Sequence, residues 1–362
     1  MEKTNNIHNV HKFMRDFDIP FTCNDPEKFA ELGAKYCQVI DYHNTENLKM
    51  SKAFNIYNRL LGFEEKGIVD MNKTYDLIGN ILHYIVDSIL GVYNADVKAV
   101  YDNFNTEDIN AIYPLNKSDI PNGDVYNFAN NGKEFISVDM SKAAFYTMRY
   151  VNPIFFNYKE TWYDFVLNCI ETYAADLDPQ LPADYIALLA DYFNESRQAR
   201  QVIFGKLNPK RINHIEKYIM GIVLANIKEL VPDATPVKLC NDEIIFEYTD
   251  DLYNTLTDSS IEIIDSGIKL KVEAFKLAQV TITQTTEIAT RTQNLAMIKQ
   301  NIKGIDKYDI KCCPTNFRFP LNMFLTFRNN VICIDNYDDE FFTLEQNGFI
   351  YKLSGNLEFE II

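Results

Sequence analysis

Three stretches of the chain carry residue types that suit a shared chemistry. Lys133-Glu134-Phe135-Ile136-Ser137-Val138-Asp139 is strand-like and ends on an acid. Val237 to Leu239 and Ile244 to Tyr248 are also strand-like, and they flank Asn241-Asp242-Glu243, which reads as a hairpin with acids at its tip. Between the two lies Arg197 to Lys217, RQARQVIFGKLNPKRINHIEK, with six Lys or Arg residues and one Glu in a chain of formal net charge −16. Transfer of a phosphoryl-bearing group from a nucleoside triphosphate mainly needs charge stabilisation. Two magnesium ions about 4 Å apart clamp the attacking and leaving oxygens. Magnesium prefers a few carboxylate oxygens plus substrate phosphates, and basic side chains on a helix then cover the triphosphate. Carboxylate, basic helix, carboxylate is the linear order of such a site. Each part also has a plainer reading: a strand-end acid is an ordinary solvated turn residue, Asn-Asp-Glu is a normal hairpin turn, and a basic run is a solvated helix face.

The same residues carry a resemblance. Arg197-x3-Gln201-Val202-Ile203-Phe204-Gly205-Lys206 is similar to the fingers motif of family B DNA polymerases, Lys-x3-Asn-Ser-x-Tyr-Gly, the protein-primed enzymes of phages and linear plasmids being nearest in flavour. Val138-Asp139-Met140-Ser141-Lys142-Ala143-Ala144-Phe145 resembles the first palm motif, and Leu239-Cys240-Asn241-Asp242-Glu243-Ile244 the second. The matched region runs from about residue 133 to 250. Arg stands for Lys at 197, Gln for Asn at 201, Val for Ser at 202 and Phe for Tyr at 204, while Asn241 takes the place of the first Asp of the second palm motif.

The resemblance implies a metal-dependent nucleotidyltransferase of polymerase or primase type that extends a nucleic-acid end. Catalysis falls to Asp139 with Asp242 or Glu243, and Mg2+ (or Mn2+) to Asp139, Met140, Asp242 and Glu243. Arg197, Arg200 and Lys206 hold the triphosphate, and Gln201 and Phe204 face the nascent base pair. Ala144 and Phe145 border the sugar pocket, where a small Ala144 weakens discrimination against a 2′-hydroxyl. Lys271 and Lys276 are candidates for the later Lys-x-Tyr signature. Asp25-Pro26-Glu27 opens a helix rather than a strand, so no proofreading exonuclease is expected. Partners implied are nucleoside triphosphates, DNA or RNA in a local basic groove, and a replication protein. The alternative is a polymerase-derived binding or accessory module of a phage that has lost catalysis, which Asn241 and the acidic balance favour. A third reading is a structural phage protein, in which Asp139 lies far from the hairpin tip.

The elements that must position these residues form an α+β chain. Residues 1–112 read as a helical N-terminal domain. Asn24 or Asp25 caps a helix through Lys35. Asn44 to about Gly62 forms a second, with Met50, Phe54, Ile56, Leu60 and Leu61 as core candidates. A third opens at Asn72, with Leu77, Ile78, Ile81, Leu82, Ile85, Ile89 and Leu90 at helical spacing. Ala95 to Phe104 and Asp108 to Ile112 add short helices. Residues 113–362 read as a palm- and fingers-like domain with a β-rich C-terminal part, the fingers spanning about 157–230. Within it, helices are expected over Lys142 to Arg149, Trp162 to Ala175 and Ala183 to Asn194, the last running on through Phe204. Another is expected from an Asn213 cap to Leu230, with Ile215, Ile219, Ile222, Val223, Ile227 and Leu230 inward. Two strands around Asp265-Ser266-Gly267, a further strand over Val280 to Ile288, and an alternating tail complete the pattern.

Composition bounds the rest. With 362 residues, 47 % of them hydrophobic, and 22 Tyr and 25 Phe, the chain can bury a large aromatic core. The acidic balance argues against a general nucleic-acid coat but leaves room for a local basic groove. The seven Cys include no C-x-x-C and read as buried thiols in a reducing cytoplasm. His8 and His11 read as solvated. No run of about 18 apolar residues occurs and the polar N-terminus has no signal-peptide pattern, so a cytoplasmic location is expected, in the host if viral. Neither a P-loop nor a dinucleotide fingerprint is present, and there is no Gly-x-Ser-x-Gly elbow.

Overall fold

The computed structural model of the chain describes residues 12–17, 45–92, 125–177, 181–258 except 208, 267–285 and 289–303, with short strands between 308 and 361 and a few single positions. The expected helices near Lys35, Ala95 and Asp108 lie outside the described residues, as do the side chain of Met50 and the turns of the tail. In chain order the helices are α1 (Thr45–Glu65), α2 (Met71–Gly91), α3 (Ala143–Val151), α4 (Trp162–Leu177), α5 (Ala183–Glu195), α6 (Arg197–Gly205), α7 (Pro209–Leu230) and α8 (Asp250–Thr257). The strands are β1 (Glu134–Met140), β2 (Pro236–Leu239), β3 (Glu243–Glu247), β4 (Leu270–Thr285), β5 (Thr290–Asn301), β6 (Tyr308–Cys312), β7 (Asn316–Phe317), β8 (Val331–Cys333), β9 (Thr343–Gln346), β10 (Phe349–Lys352) and β11 (Asn356–Ile361).

Two compact units share these elements. One comprises Lys73–Val125 and Glu134–Ala274, the other Met1–Asn72, Tyr126–Lys133 and Phe275–Ile362. The units run otherwise than a division at residue 112. Nearly all of α2 belongs with the middle of the chain, where Tyr185 Oη donates to Thr74 Oγ1 at 2.9 Å and the Tyr84 and Tyr173 rings lie 5.2 Å apart. The stripe of α2 holds with one correction: Ile78, Ile81, Ile85 and Ile89 are buried, whereas Leu90 is exposed.

In the first unit β1, β2, β3 and the start of β4 form an antiparallel sheet in the order β2-β3-β1-β4. Ser141 N–H donates to Lys269 O at 2.9 Å where β1 leaves the sheet beside the approach to β4. With α3 and α7 between β1 and β2, and α8 between β3 and β4, the connectivity is β-α-β-β-α-β, the split βαβ arrangement. That arrangement sets β1 and β3 side by side at its centre. Phe135, Ile136 and Val138 of β1 and Ile244, Ile245 and Phe246 of β3 are buried, and α7 packs against β3 and α3.

The helices α4, α5 and α6 stand as an insertion between α3 and α7. Their core is a ring cluster of Phe145, Phe156, Trp162, Phe165 and Phe204, with centroid separations from 4.5 to 6.4 Å. Such tilted and edge-on pairs add about 0.5–1.5 kcal/mol each beyond area burial. Trp162 Nε1 donates to Phe193 O at 3.1 Å, so the one polar atom of the largest ring is satisfied.

Helix limits differ from expectation where a cap intervenes. The expected run from Ala183 through Phe204 breaks at Ser196, whose extended backbone ends α5 and whose hydroxyl accepts from Ala199 N–H at 3.0 Å to start α6. Helix α7 begins at Pro209 rather than after Asn213, because proline at the first helical position gives up an amide that has no partner there. Ile215, Ile219, Val223 and Ile227 are buried as expected, Ile222 is half-buried and Leu230 is exposed.

The second unit contains α1, with Phe54, Ile56 and Leu60 buried and Leu61 half-buried. Its sheet is built on the later part of β4, which pairs antiparallel with β5 and β11; β5 pairs further with β6, and β11 with β8. Strand β4 absorbs two expectations at once. Residues 268–275 and 280–288 were read as separate strands, and one strand covers Leu270–Thr285, while the described positions Ile263 and Ile264 are not in a strand. A smaller sheet joins β10, β9 and β7. Among the described residues no helix is long and apolar enough to cross a membrane.

Candidate functional site

The acids converge through the β1–β3 ladder. Asp139 and Glu243 are directly paired across it, and Val138 pairs with Ile244. Opposed residues of an antiparallel pair project from the same face. Asp242 belongs to the two-residue loop of the β2–β3 hairpin, closed by Cys240 N–H donating to Glu243 O at 2.8 Å. Its carbonyl accepts from Met140 N–H at 2.8 Å, which fixes the loop beside the end of β1. Glu243 is therefore the first residue of β3 rather than a tip residue. Ser137, two positions before Asp139 and on its face, donates its hydroxyl to Glu243 Oε1 at 2.6 Å.

Met140 is buried, and its thioether accepts from Thr147 Oγ1 at 3.6 Å. A soft sulfur so placed is no magnesium ligand; only the carbonyl oxygen of Met140 has the right chemistry.

The electrostatics describe a crowded acidic corner. Burial raises the Asp242 pKa; its own backbone N–H lowers it, Glu243 raises it and Arg197 lowers it. Glu216, a buried acid on α7, is pushed up to about 7 by burial and by Asp242. The half-buried Cys240 thiol is raised by burial, lowered by Lys238, and raised by Glu243, Asp242 and Asp139. Asp139, Asp242 and Glu243 thus all act on one thiol, which places them in one neighbourhood.

The basic helix divides. Arg197, the first residue of α6, is exposed and within electrostatic reach of Asp242. Arg200 is turned to structural use: its guanidinium donates to Asn194 O, and burial lowers its pKa, Glu195 raising and Arg197 lowering it. Lys206 is exposed and hydrogen-bonded to His83 Nδ1 at 3.2 Å, a partner on α2 that the sequence pattern did not suggest. Gln201 is exposed. Phe204 and Phe145 depart from the roles expected of them, since both rings are buried in the aromatic cluster and Phe204 lies 5.3 Å from Trp162. Ala144 is half-buried.

Asn194 was not singled out by any motif. It sits two residues before the Ser196 cap, accepts from Lys142 Nζ through its side chain and from Arg200 through its carbonyl, and donates to Glu195 Oε1 at 3.0 Å. Lys142 holds a left-handed backbone, φ 48° and ψ 48°, in the turn after β1. Non-glycine residues rarely adopt this conformation, and it is held where surrounding contacts impose it. Glu216 did have a legible signal: it occupies an inward position in the buried row Ile212, Ile215, Ile219, Val223 of α7.

No family model, no curated protein and no solved structure matches the chain.

A magnesium ion at these acids would have to be held in a mode that needs few protein ligands. Among the described residues no group of three or more His, Cys, Asp or Glu side chains is disposed to hold an ion by itself. Magnesium is commonly held by one or two carboxylates with the remaining oxygens from substrate phosphates and water. Asp139 with Asp242 or Glu243 supplies that number.

Proposed function

We propose that the chain is a metal-dependent nucleotidyltransferase of polymerase or primase type, related to family B DNA polymerases, which adds nucleotides to a nucleic-acid end without proofreading. The split βαβ sheet serves as palm and α4–α6 as fingers. The observation that carries this reading is the pairing of Asp139 with Glu243, with Asp242 tied to Met140 and Arg197 in reach of Asp242. Two regions far apart in sequence meet there beside a basic helix end.

In this reading a terminal hydroxyl oxygen attacks the α-phosphorus of a nucleoside triphosphate. A new P–O bond forms, the bond to pyrophosphate breaks, and the hydroxyl proton passes to solvent. A bound Mg2+ or Mn2+ supplies charge neutralisation of the phosphates and the attacking oxygen. Asp139 and Asp242 or Glu243 hold the cation, and Ser137 fixes one oxygen of Glu243. Arg197 and the exposed Lys206 attract the triphosphate, and Gln201 is the exposed side chain of α6 left for a base. The buried Cys169 thiol and the half-buried Cys240 thiol suit a reducing cytoplasm.

The test is incubation with labelled nucleotides, Mg2+ or Mn2+, and nucleic acid with and without a primed strand, beside Asp139→Asn. Incorporation lost in the variant supports the reading. Neither incorporation nor metal-dependent nucleotide binding in the unmodified protein removes it. The alternative, an accessory module without catalysis, draws on the occupied Glu243 oxygen and on Asn241 in the hairpin loop; it predicts nucleic-acid or protein binding indifferent to metal and nucleotide.

A further inference from the structure

We propose that Tyr158 is a stacking platform for one base of single-stranded nucleic acid, held clear of the protein by a rigid turn beyond α3. The inference rests on the nucleotidyltransferase reading and adds to it a place where the strand is gripped.

Tyr158 is 67 % exposed, the most exposed of the large hydrophobic side chains among the described residues. Its backbone has φ 59° and follows Asn157 at φ 49°, so two successive non-glycine residues hold a left-handed conformation. Asparagine tolerates it, a bulky residue seldom does, and glycine would meet the turn without strain. The turn is nevertheless fixed at every step. Asn157 N–H donates to Ile154 O at 3.0 Å, Tyr158 N–H to Pro153 O at 3.0 Å and Lys159 N–H to Phe156 O at 2.9 Å. Phe155 and Phe156, both buried, anchor the chain just before it. Arg149 Nε of α3 donates to Lys159 O at 3.0 Å just after it. The ring is thus displayed in water from a backbone already ordered, which lowers the cost of binding to it.

The surroundings select the occupant. A protein or lipid surface needs a contiguous apolar patch, whereas the neighbours of this ring in the turn are polar: Asn157 and Glu160 are exposed and Lys159 is half-buried. One ring matches one base, and every base has a π-face. Cations stand near for the phosphates. Lys159 is next in the chain, the Arg149 Nη1 lies 3.4 Å from the place a Cβ would take on Gly267, and the exposed Lys269 is two residues beyond that glycine. Glu160 is the one acid within residues 157–160. In a chain of net charge −16 this local balance suits an anionic strand. The same contacts lead back to the acids. Lys269 O accepts from Ser141 N–H at 2.9 Å, and Met140 N–H, one residue earlier, donates to Asp242 O at 2.8 Å. Arg149 lies only about 9 Å along α3 from its start at Ala143. A strand whose end lies at Asp139 and Asp242 therefore passes Tyr158 a short way back from that end.

The test is anisotropy titration of the full chain with a labelled oligothymidylate and with a baseless strand of the same length, without metal or nucleotide, for the unmodified protein, Tyr158→Ala and Tyr158→Phe. The unmodified protein is expected to bind the base-bearing strand roughly 5- to 100-fold more tightly than the baseless one. Tyr158→Ala is expected to abolish that difference and to leave the affinity for the baseless strand, which only the cations hold, unchanged. Tyr158→Phe is expected to keep the difference, because the ring stacks and the hydroxyl does not. The side chain is exposed, so an unchanged urea midpoint shows that Tyr158→Ala still folds. If Tyr158→Ala keeps the preference for bases, or the unmodified protein shows none, the inference is overturned. Incorporation of labelled nucleotides by the unmodified protein then leaves the nucleotidyltransferase reading standing. Strand binding that depends on Tyr158 without any metal-dependent incorporation or nucleotide binding supports the platform and removes the catalytic reading.

Discussion

Asp139 and Glu243 face one another across adjacent strands, and the second oxygen-bearing neighbour of Glu243 is Ser137, bonded at 2.6 Å. Ser137 is buried between the apolar Ile136 and Val138, and its hydroxyl makes this bond. Hydrogen bonds to charged groups contribute about 1.5–3 kcal/mol. Ser137→Ala is expected to lower stability by about that amount in urea unfolding. In a Glu243→Ala background the same change is expected to cost much less, since the acceptor is already gone, and a double-mutant cycle reads the difference.

Glu216 gives a pH dependence with a definite sign. Burial first, and then Asp242, raise its pKa from 4.5 to about 7. The folded state therefore holds a proton that the unfolded state has released between about pH 4.5 and pH 7. Stability falls as pH rises through this window and levels off above it. The shift corresponds to roughly 3 kcal/mol. Glu216→Gln, which stays neutral, is expected to be more stable than the unmodified protein at pH 8 by up to that amount and to show no such gain near pH 4.5. Urea unfolding at the two pH values checks it; a gain of equal size at both would mean that charge is not the cause.

The sequence made the acids legible because strand periodicity is local: Phe135 to Asp139 and Ile244 to Phe246 alternate or run apolar, and both proved to be strands of one sheet. Helix α2 was equally plain, though its unit was not, because Thr74, Tyr84 and His83 find Tyr185, Tyr173 and Lys206 only through tertiary contact. The basic run misled in part. A residue's charge does not reveal which way it points, so Arg197 and Arg200, three apart on α6, ended as an exposed cation and a backbone donor. The β4 strand was split into two because Lys276 and Gln279 interrupt its apolar pattern, while pairing with β5 on one side and β11 on the other carries the ladder through.

Phe204 separates the two roles assigned to that position. A residue facing a base would alter nucleotide selection when changed; a core residue alters stability and its neighbours. Phe204 lies against Trp162, the single tryptophan of the chain. Phe204→Ala is expected to cost about 3–5 kcal/mol and to shift Trp162 emission in the folded state, read in one fluorescence-monitored urea titration. Phe204→Leu, closer in volume, is expected to retain most of the stability and, under the proposed activity, to leave nucleotide preference unchanged.

Lys142 carries two separable contributions. Its side chain ties the turn after β1 to Asn194, and its backbone pays for the position with φ 48°. Glycine adopts that conformation without the steric cost that a Cβ brings, about 1 kcal/mol or more. Lys142→Ala is therefore expected to lose the tie and keep the strain, while Lys142→Gly loses the tie and relieves it, ending about 1 kcal/mol more stable than the alanine variant. Asn194→Ala removes the tie from the other side and leaves the carbonyl that Arg200 uses. Asn194→Asp keeps an acceptor for Lys142 and is expected to stay near the unmodified stability. If the tie also sets the start of α6, Asn194→Ala weakens binding of a metal–triphosphate pair and Asn194→Asp restores it, whereas Lys142→Gly recovers part of the stability without that affinity. Equal affinity in all these variants would mean that α6 holds its place by packing alone.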